Sequence, residues 1–538
     1  PAEWFPRARS LKRTIHLHVG PTNSGKTYNA LRALAGALTG VYAGPLRLLA
    51  HEVWERLNNG SITAPPKDAG RPCNLLTGEE HRIVDPAARL LSCTVEMLPR
   101  NAAFDVAVID EIQMIADPFR GSAWTYAVLG VCAKEVHLCG EDTAVDLIQR
   151  LAVDAGDDVV IHRYQRLTPL VVSPSLHGDF SKVQKGDCVV AFSRNKIFQT
   201  KRKIEKETGL KCAVAYGRLP PEVRSEQAQH FNHLESVLDV MVASDAIGMG
   251  LNLKIRRVIF ASLQKWDGKD VTYLTLSQTK QIAGRAGRFG LHTDGSIGEV
   301  TTMWSSDLAR LKFAMKSTNP SITQAYIELP EDKLEALYNA LPSGGGFRGI
   351  NVALEHLALP SPNYTPLLRG RDDHAAAFVD KKMGNGFFAE SCTFLKAPVQ
   401  WRDPQSLESM NDYVDAYNAN IQVDLEPILD RRGYLAALRT AQGLNAEPLN
   451  NTSLEPPCSP GTPPYDNTQL SDSPDPSVGQ STRKQESDQA EVLQTLEVMH
   501  KSLVLYLWLS QRLPLAFSNR DKAQKFKDDV EGAIDGLL

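Results

Sequence analysis

The chain has 538 residues, too long for one ordinary domain and enough for roughly three or four. With 42% hydrophobic and 23% charged residues it is not a largely disordered chain. A net charge of −4 excludes a generally basic coat for nucleic acid but leaves room for a local positive groove. The eight cysteines (73, 93, 132, 139, 188, 212, 392, 458) form no CxxC pair and several sit in apolar runs. They read as buried thiols of a reducing compartment. The C-terminal apolar run LVLYLWL, 503–509, is far short of the roughly 20 residues that span a bilayer, so no membrane segment is expected. The opening PAEWFPRARSLKRT has neither an initiator Met nor an apolar signal core, which is compatible with prior removal of a targeting peptide.

In chain order, short apolar runs alternate with helical patterns: IHLHV (15–19), GVYAG (40–44), LLSCTV (90–95), VAVID (106–110), VHLCG (136–140) and VVIHRY (159–164). Continuous apolar strands separated by helices predict a parallel sheet covered on both faces. The pattern restarts at CVVAFS (188–193), CAVAY (212–216), VMVAS (240–244) and RVIFAS (257–262), so two tandem α/β domains are expected, 1–165 and 166–305. Beyond 305 helical patterns dominate, as in DKLEALYNAL (332–341), and 306–451 is expected to be mainly helical. Residues 452–487 are expected to be a linker or insertion without order, because 452–484 is rich in Pro, Ser, Thr, Asp and Gln with little to bury. Order is expected to resume at about 488. There Leu493, Leu496, Met499, Leu503 and Leu507, then Phe526, Val530 and Ile534, follow helical spacing and predict core-facing helices over 488–538.

The first strand runs into Gly20-x-x-x-x-Gly25-Lys26-Thr27. Between a strand and a helix this spacing lets backbone N–H groups close around phosphate oxygens while the helix N-terminus adds positive potential. Gly20, Pro21, Thr22, Asn23, Ser24, Gly25, Lys26 and Thr27 therefore form the candidate nucleotide loop. Lys26 would reach the β- and γ-phosphates, and Thr27 can ligate Mg²⁺. VAVIDEIQM places Asp110 and Glu111 at a strand's C-terminal end, where ligands of parallel sheets gather. Asp110 fits a direct or outer-sphere holder of Mg²⁺, and Glu111 a base that orients and deprotonates water.

QIAGRAGRFG, 281–290, belongs to the second α/β domain, which has no phosphate loop of its own. On a helix, steps of four and three put Gln281, Arg285 and Arg288 on one face. That arrangement has a purpose if the two domains close over one nucleotide, with Gln281 near the attacking water and both guanidinium groups against the γ-phosphate. Gly284 and Gly287 would thin the helix for close approach.

Taken together, GPTNSGKT, GPLRLLAHE (44–52), TGEE (77–80), SCTVEM (92–97), DEIQM (110–114), HLCGE (137–141), FSRNKI (192–197), YGRLPPEVRSEQAQHFN (216–232), ASDAIGMGLNL (243–253) and QIAGRAGRFG resemble the superfamily 2 helicases, and at finer grain the mitochondrial degradosome RNA helicases of the DExH-like class. YLWLSQRLP (506–514) also looks like the end of that group. The resemblance covers about 15–305, is weaker over 305–490, and implies two tandem RecA-like domains followed by a mainly helical C-terminal region. It implies that Gly250 and Asn252 touch the γ-phosphate and ribose, and that Pro45, Arg47, Thr77, Thr94, Ser193, Arg194 and Ser244 line a groove for the strand backbone. Gln113 departs from the usual His or Asp of the acid block, and its amide is expected to bridge to Gln281 across the cleft.

The same resemblance implies ATP or another NTP with Mg²⁺ as cofactors. It also implies a mitochondrial matrix location and 3′-to-5′ movement on RNA single-stranded tails and duplexes, with DNA or hybrid duplexes admitted. A 3′-to-5′ exoribonuclease is the implied partner. No glutamine-rich adenine-reading segment precedes the phosphate loop, so loose nucleobase selectivity is expected. The rival readings are a phosphate-loop phosphotransferase, which needs no second domain with an arginine–glutamine face, and an RNA scaffold that keeps the fold without the chemistry.

Overall fold

The computed structural model describes the chain except for residues 64–69, 234–235, 249, 251, 267–269, 288–296, 343–344, 358–360, 367–373, 385–387, 402, 421 and 447–475. It divides into two compact units, Pro1–Ala397 and Pro398–Leu538. The boundary falls inside the segment 306–451 that was expected to form one helical domain.

The first unit holds two parallel sheets. One contains β1 (Thr14–Val19), β2 (Gly40–Gly44), β3 (Cys73–Leu76), β4 (His81–Arg82), β5 (Leu90–Thr94), β6 (Ala103–Ile109), β7 (Cys132–Gly140) and β8 (Asp158–Arg163), in the order β4-β3-β5-β2-β6-β7-β1-β8. Every neighbour pair is parallel except β3 with β4. The other contains β9 (Leu170–Val172), β10 (Asp187–Val190), β11 (Lys211–Ala215), β12 (Leu238–Ala243) and β13 (Arg257–Phe260). After a hairpin of β14 (Gln264–Trp266) and β15 (Val271–Tyr273), β16 (Gly298–Thr302) completes it in the all-parallel order β11-β12-β10-β13-β16-β9.

All ten apolar runs read from the sequence lie on strands of these sheets. The strands missed, β3, β4, β9, β14, β15 and β16, are two to five residues long or carry Glu, Lys, Gln and Thr. Too few side chains alternate there for a pattern to stand out. Apolar residues fill both faces of the first sheet: Ile15, Leu17, Ile109 and Leu138 face the helix Val145–Ala155, and Tyr42, Val108 and Cys139 face the helix Lys26–Gly36. The seven described cysteines are buried and free, in keeping with their apolar surroundings.

After the helix Ser305–Lys316 the chain returns to the first sheet. β17 (Ala325–Ile327) and β18 (Tyr364–Pro366) pair in parallel, and Ala325, Ile327 and Tyr364 join the core that includes Trp124 and Leu129. Thr125 Oγ1 donates to Tyr326 O at 2.6 Å, and Arg150 binds Asn363 Oδ1 at 2.9 Å and Thr323 O at 2.7 Å. Helical periodicity, visible in this segment, does not reveal such a destination. The helix Glu331–Ala340 matches the DKLEALYNAL pattern to within a residue.

The second unit is helical, built from Pro404–Asn420, Leu425–Arg431, Tyr434–Ala446, Pro476–Arg512 and Arg520–Leu537. Leu493, Leu496, Met499, Leu503, Leu507, Val530 and Ile534 are buried as the spacing predicts, and Phe526 is half-buried. Tyr413, Tyr506 and Phe517 meet edge-on with centroids 5.2–6.1 Å apart. The Tyr413 hydroxyl is matched by Ser502 Oγ at 2.8 Å. The long helix begins at Pro476, ahead of the expected resumption at 488, so the unstructured reading of 476–487 is corrected. The rest of that expected linker, 452–475, lies outside the described residues.

An ion pair anchors the N-terminal arm. Arg13 is fully buried, and Asp157 receives its Nε at 3.0 Å and its Nη2, while Arg9 Nη1 approaches the same carboxylate at 3.2 Å. Removing the anion would strand a buried guanidinium, a loss that costs about 3–5 kcal/mol in comparable sites. Asp157→Ala is expected to lower the melting transition of the first unit by several degrees, measured by calorimetry, whereas Asp158→Ala beside it, whose side chain is 69% exposed, should leave it in place.

Candidate functional site

The phosphate loop follows β1 and ends at the helix Lys26–Gly36. Asn23 (φ 59°) and Gly25 (φ 78°) both take the left-handed conformation, which turns successive N–H groups inward. Gly20 is required sterically, because a Cβ there would sit 2.7 Å from Tyr164 O. Lys26 Nζ rests on Pro21 O at 3.1 Å. Ser24 Oγ is buried and has no hydrogen-bond partner. A lysine resting on its own loop and an orphaned hydroxyl fit a phosphate group, which would supply acceptors to both.

At the end of β6, Asp110 is buried. It accepts from Thr27 Oγ1 at 3.3 Å, from Tyr42 Oη at 3.2 Å and from the Glu111 N–H at 3.0 Å. Burial, and next the neighbouring Glu111, push its carboxyl up to about 6, with Lys26 opposing. Burial pushes the Tyr42 phenol far up as well, so it stays a donor to Asp110. A hydroxyl and an under-neutralised carboxylate side by side are a hard-oxygen donor set of the kind Mg²⁺ accepts, so the residues fit that ion. Glu111 itself has φ 53°, left-handed backbone that costs a non-glycine residue about 1–2 kcal/mol.

Gln113 departs from expectation. Its Nε2 donates to Glu111 Oε2, and its Oε1 accepts the Glu141 N–H at 3.1 Å, so it holds the Glu111 carboxylate in place and does not bridge to Gln281. The link across the cleft is made by Glu141, whose carboxylate accepts from Ser277 Oγ at 2.7 Å and Asn319 Nδ2 at 3.1 Å. This glutamate closes the HLCGE motif, 137–141. Its only local signal was a charged residue at the end of a buried strand.

The second domain's contribution begins on the helix Leu276–Ala283, which opens with a reciprocal capping pair between Thr275 and Gln278. Gln281 lies on it and faces a cleft of about 470 Å³ together with Lys26, Glu111, Gln113, Glu141 and Asn319. The helix stops at Ala283, so the single helical face expected for Gln281, Arg285 and Arg288 does not form. Instead Arg285 N binds Ile282 O at 3.1 Å and Gly287 N binds Ile255 O at 2.8 Å, a turn that ends in left-handed Gly287 (φ 60°). Arg285 is buried, donates to Gly248 O, and lies within electrostatic reach of Glu111, Glu52 and Asp110. Burial pulls its guanidinium down from the ordinary value, and these carboxylates oppose that shift. Arg288 lies outside the described residues.

The two halves touch. A Cβ on Gly284 would lie 1.7 Å from Thr22 Oγ1, so only glycine fits this approach. Arg166, in the segment between the sheets, donates to Thr22 O at 3.0 Å, to Gly284 O at 2.9 Å and to Ala286 O. Burial pushes Arg166 down only to about 10, which leaves it charged at neutral pH. Asn23 Nδ2 adds bonds to Thr168 Oγ1 at 2.8 Å and Gly287 O at 3.1 Å. Arg166 was missed because its partners are backbone carbonyls, which leave no trace in side-chain spacing.

Gly250 (φ 82°) comes against Leu46, where a Cβ would meet Leu46 Cδ1 at 2.9 Å, and Asn252 O accepts from Asn232. Pro45, Thr77, Thr94, Ser193 and Ser244 all lie at or just beyond the C-terminal ends of parallel strands. Arg47 opens the helix Arg47–Asn58 and pairs with Glu79 and, in the second domain, with Glu222 at 2.9 Å. Thr77 and Ser244 are buried and cap their own turns through Glu80 N at 3.0 Å and Ala246 N at 3.1 Å. Ser193 is exposed and caps the helix Arg194–Thr208, on which Arg194 lies over the Phe198 ring.

Family models match along the chain in order: the DEXQ-box helicase domain of Suv3 over residues 1–164, the helicase conserved C-terminal domain over 170–290, and the C-terminal domain of the ATP-dependent RNA helicase SUV3 over 493–538. The protein named "ATP-dependent RNA helicase SUV3, mitochondrial" of Candida albicans is 39% identical, with 100% of this chain covering 69% of that relative. The protein of the same name from Oryza sativa subsp. japonica is 39% identical over 100% of this chain and 82% of its own length. "ATP-dependent RNA helicase SUPV3L1, mitochondrial" of Gallus gallus is 45% identical over 64% of this chain, but over only 43% of its own length. With the Q of the DEXQ box standing at Gln113 and 39% identity across the whole of this chain to each of two relatives, the chain belongs to the SUV3 family of ATP-dependent RNA helicases.

Proposed function

We propose that this chain hydrolyses ATP to ADP and phosphate and uses the cycle to move 3′-to-5′ along RNA in the mitochondrial matrix, unwinding duplexes for a 3′-to-5′ exoribonuclease. The observation that carries the hydrolytic part is the shared cleft, in which Lys26 and Glu111 of one sheet face Gln281 of the other. The relatives' names support RNA as substrate and the mitochondrion as location. Polarity and the exonuclease follow from the family resemblance alone.

In this reading Lys26 leaves Pro21 O for the β- and γ-phosphates, and Ser24 and the loop N–H groups take the remaining oxygens. Thr27 and Asp110 would hold Mg²⁺, Asp110 directly or through water, and the ion would neutralise charge on the phosphates. Glu111, steadied by Gln113, accepts the proton of the water whose oxygen attacks the γ-phosphorus, while the bridging oxygen leaves with ADP. Gln281 orients that water. Arg285 and Arg288 compensate charge at the transferred group, with Gly250 and Asn252 reaching the γ-phosphate and ribose once the cleft rearranges. Pro45, Arg47, Thr77, Thr94, Ser193, Arg194 and Ser244 follow the strand backbone, a mode of contact that carries little base information. A phosphotransferase would have no use for the contacts that bring Gly284 onto Thr22.

Lys26→Ala is expected to abolish RNA-stimulated phosphate release. Arg285→Ala should hold nucleotide binding within a few-fold while turnover falls roughly a hundredfold or more, as for lost arginine fingers; near-normal turnover in either variant would remove the composite site. Gly284→Ala is expected to reduce turnover at least roughly tenfold, because the added methyl holds the two domains apart. Strand displacement on matched RNA, DNA and hybrid duplexes tests substrate and polarity together. Duplexes with 3′ tails should open and those with 5′ tails should not.

A further inference from the structure

Four histidines crowd one face of the first sheet. Along β1, His16 and His18 alternate with Ile15, Leu17 and Val19, which point into the core on the opposite face. The parallel register sets His16 beside His137 on β7 and His18 beside His162 on β8, and Glu135 shares the face of His137. The rings stack at centroid distances of 4.7–5.5 Å. Nothing in the hydrolytic site uses them.

Their hydrogen bonds form an ordered relay. The Tyr164 hydroxyl meets His18 Nδ1 at 2.8 Å, His18 Nε2 meets His137 Nδ1 at 2.9 Å, and His137 Nε2 is left facing Glu135 Oε2 at 3.4 Å. His16 is oriented in the same way, its Nδ1 meeting His162 Nε2 at 3.3 Å. One ligand atom each from His16, Glu135 and His137 lie within 4.8 Å of one another. A tetrahedral zinc shell brings such atoms to about 3.3 Å, an approach that the exposed Glu135 side chain and small ring rotations can supply. His18 and His162 engage Nδ1 of His137 and of His16 respectively, which leaves Nε2 of both rings for a metal.

We propose that His16, Glu135 and His137 bind a late first-row divalent cation, zinc(II) being the best match, separate from the magnesium-type site at Thr27 and Asp110. Two imidazole nitrogens and one carboxylate select zinc over magnesium, which prefers all-oxygen shells. His18 and His162 are the outer partners that fix the two ligating rings, the orienting part that a carboxylate, carbonyl or water plays for other metal-bound histidines. Binding uses the tautomer in which Nδ1 of each ligating ring carries the hydrogen and donates it to the outer histidine, so the Nε2 lone pair takes the ion without loss of a ring proton, and water fills the fourth position.

The test titrates zinc chloride into the chelator-stripped full chain in buffer containing Mg²⁺, by calorimetry, and repeats it with cobalt(II) to read the visible bands of a tetrahedral site. One equivalent is expected to bind. His16→Gln and Glu135→Gln should weaken it roughly a hundredfold and His162→Gln roughly tenfold; His81→Ala, on an exposed strand, and Lys26→Ala should bind as the parent chain does. Glu135→Gln keeps the shape of an exposed side chain, so its result does not depend on a folding defect. No binding by the parent chain, or equal binding by Glu135→Gln and His16→Gln, would overturn the proposal.

Discussion

The composite cleft depends on one guanidinium. Arg166 lies between the two sheets and donates to carbonyls on both sides of the gap, Thr22 of the phosphate loop and Gly284 and Ala286 of the arginine turn. Carbonyl oxygens at the ends of loops and helices need donors, and a planar fork can serve several at once. Because those carbonyls belong to the segments that carry Lys26 and Arg285, this side chain ties the two halves of the cleft together. The absence of a Cβ at Gly284 permits that distance, and Asn23 adds a second connection through Thr168 and Gly287.

The acidic side of the cleft is organised just as tightly. Asp110 is held by Thr27, Tyr42 and its neighbour's N–H, and the next residue turns into left-handed backbone that aims Glu111 along the cleft. Gln113 then connects Glu111 to the Glu141 backbone, and the Glu141 carboxylate reaches Ser277 and Asn319. An amide at this position can do both jobs because it donates on one side and accepts on the other. A carboxylate there could only accept. Glu111 is thereby coupled, through Gln113 and Glu141, to the second domain and to the segment that follows it.

The parts legible in the sequence were those whose chemistry is local. Gly20 to Thr27 and the Asp110–Glu111 pair carry their function in spacing along a few residues, and the ten apolar runs betray strands buried on both faces. Gln281 and Arg285 were legible as residues but not as a shape. The helix ends early because Gly284 must meet Thr22, which no periodicity encodes. Arg166, Glu141 and Asn319 stayed hidden because they act on backbone groups or on partners more than a hundred residues away. For the same reason the segment after 316 shows its helices but not its docking on the first sheet, which rests on a few apolar side chains and two short strands.

That docking changes what the second domain can do. It leaves the first sheet through residues 164–169 and comes back through 317–325, and the chain is bonded to the first domain or its phosphate loop at both crossings, by Arg166 and Leu167 on one side and Ile322 and Thr323 on the other. A body strung at two points is freest to swing about the line that joins them and is hindered in drifting or tumbling. Two such attachments favour an angular motion over a sliding one, much as a pair of pins does for a door.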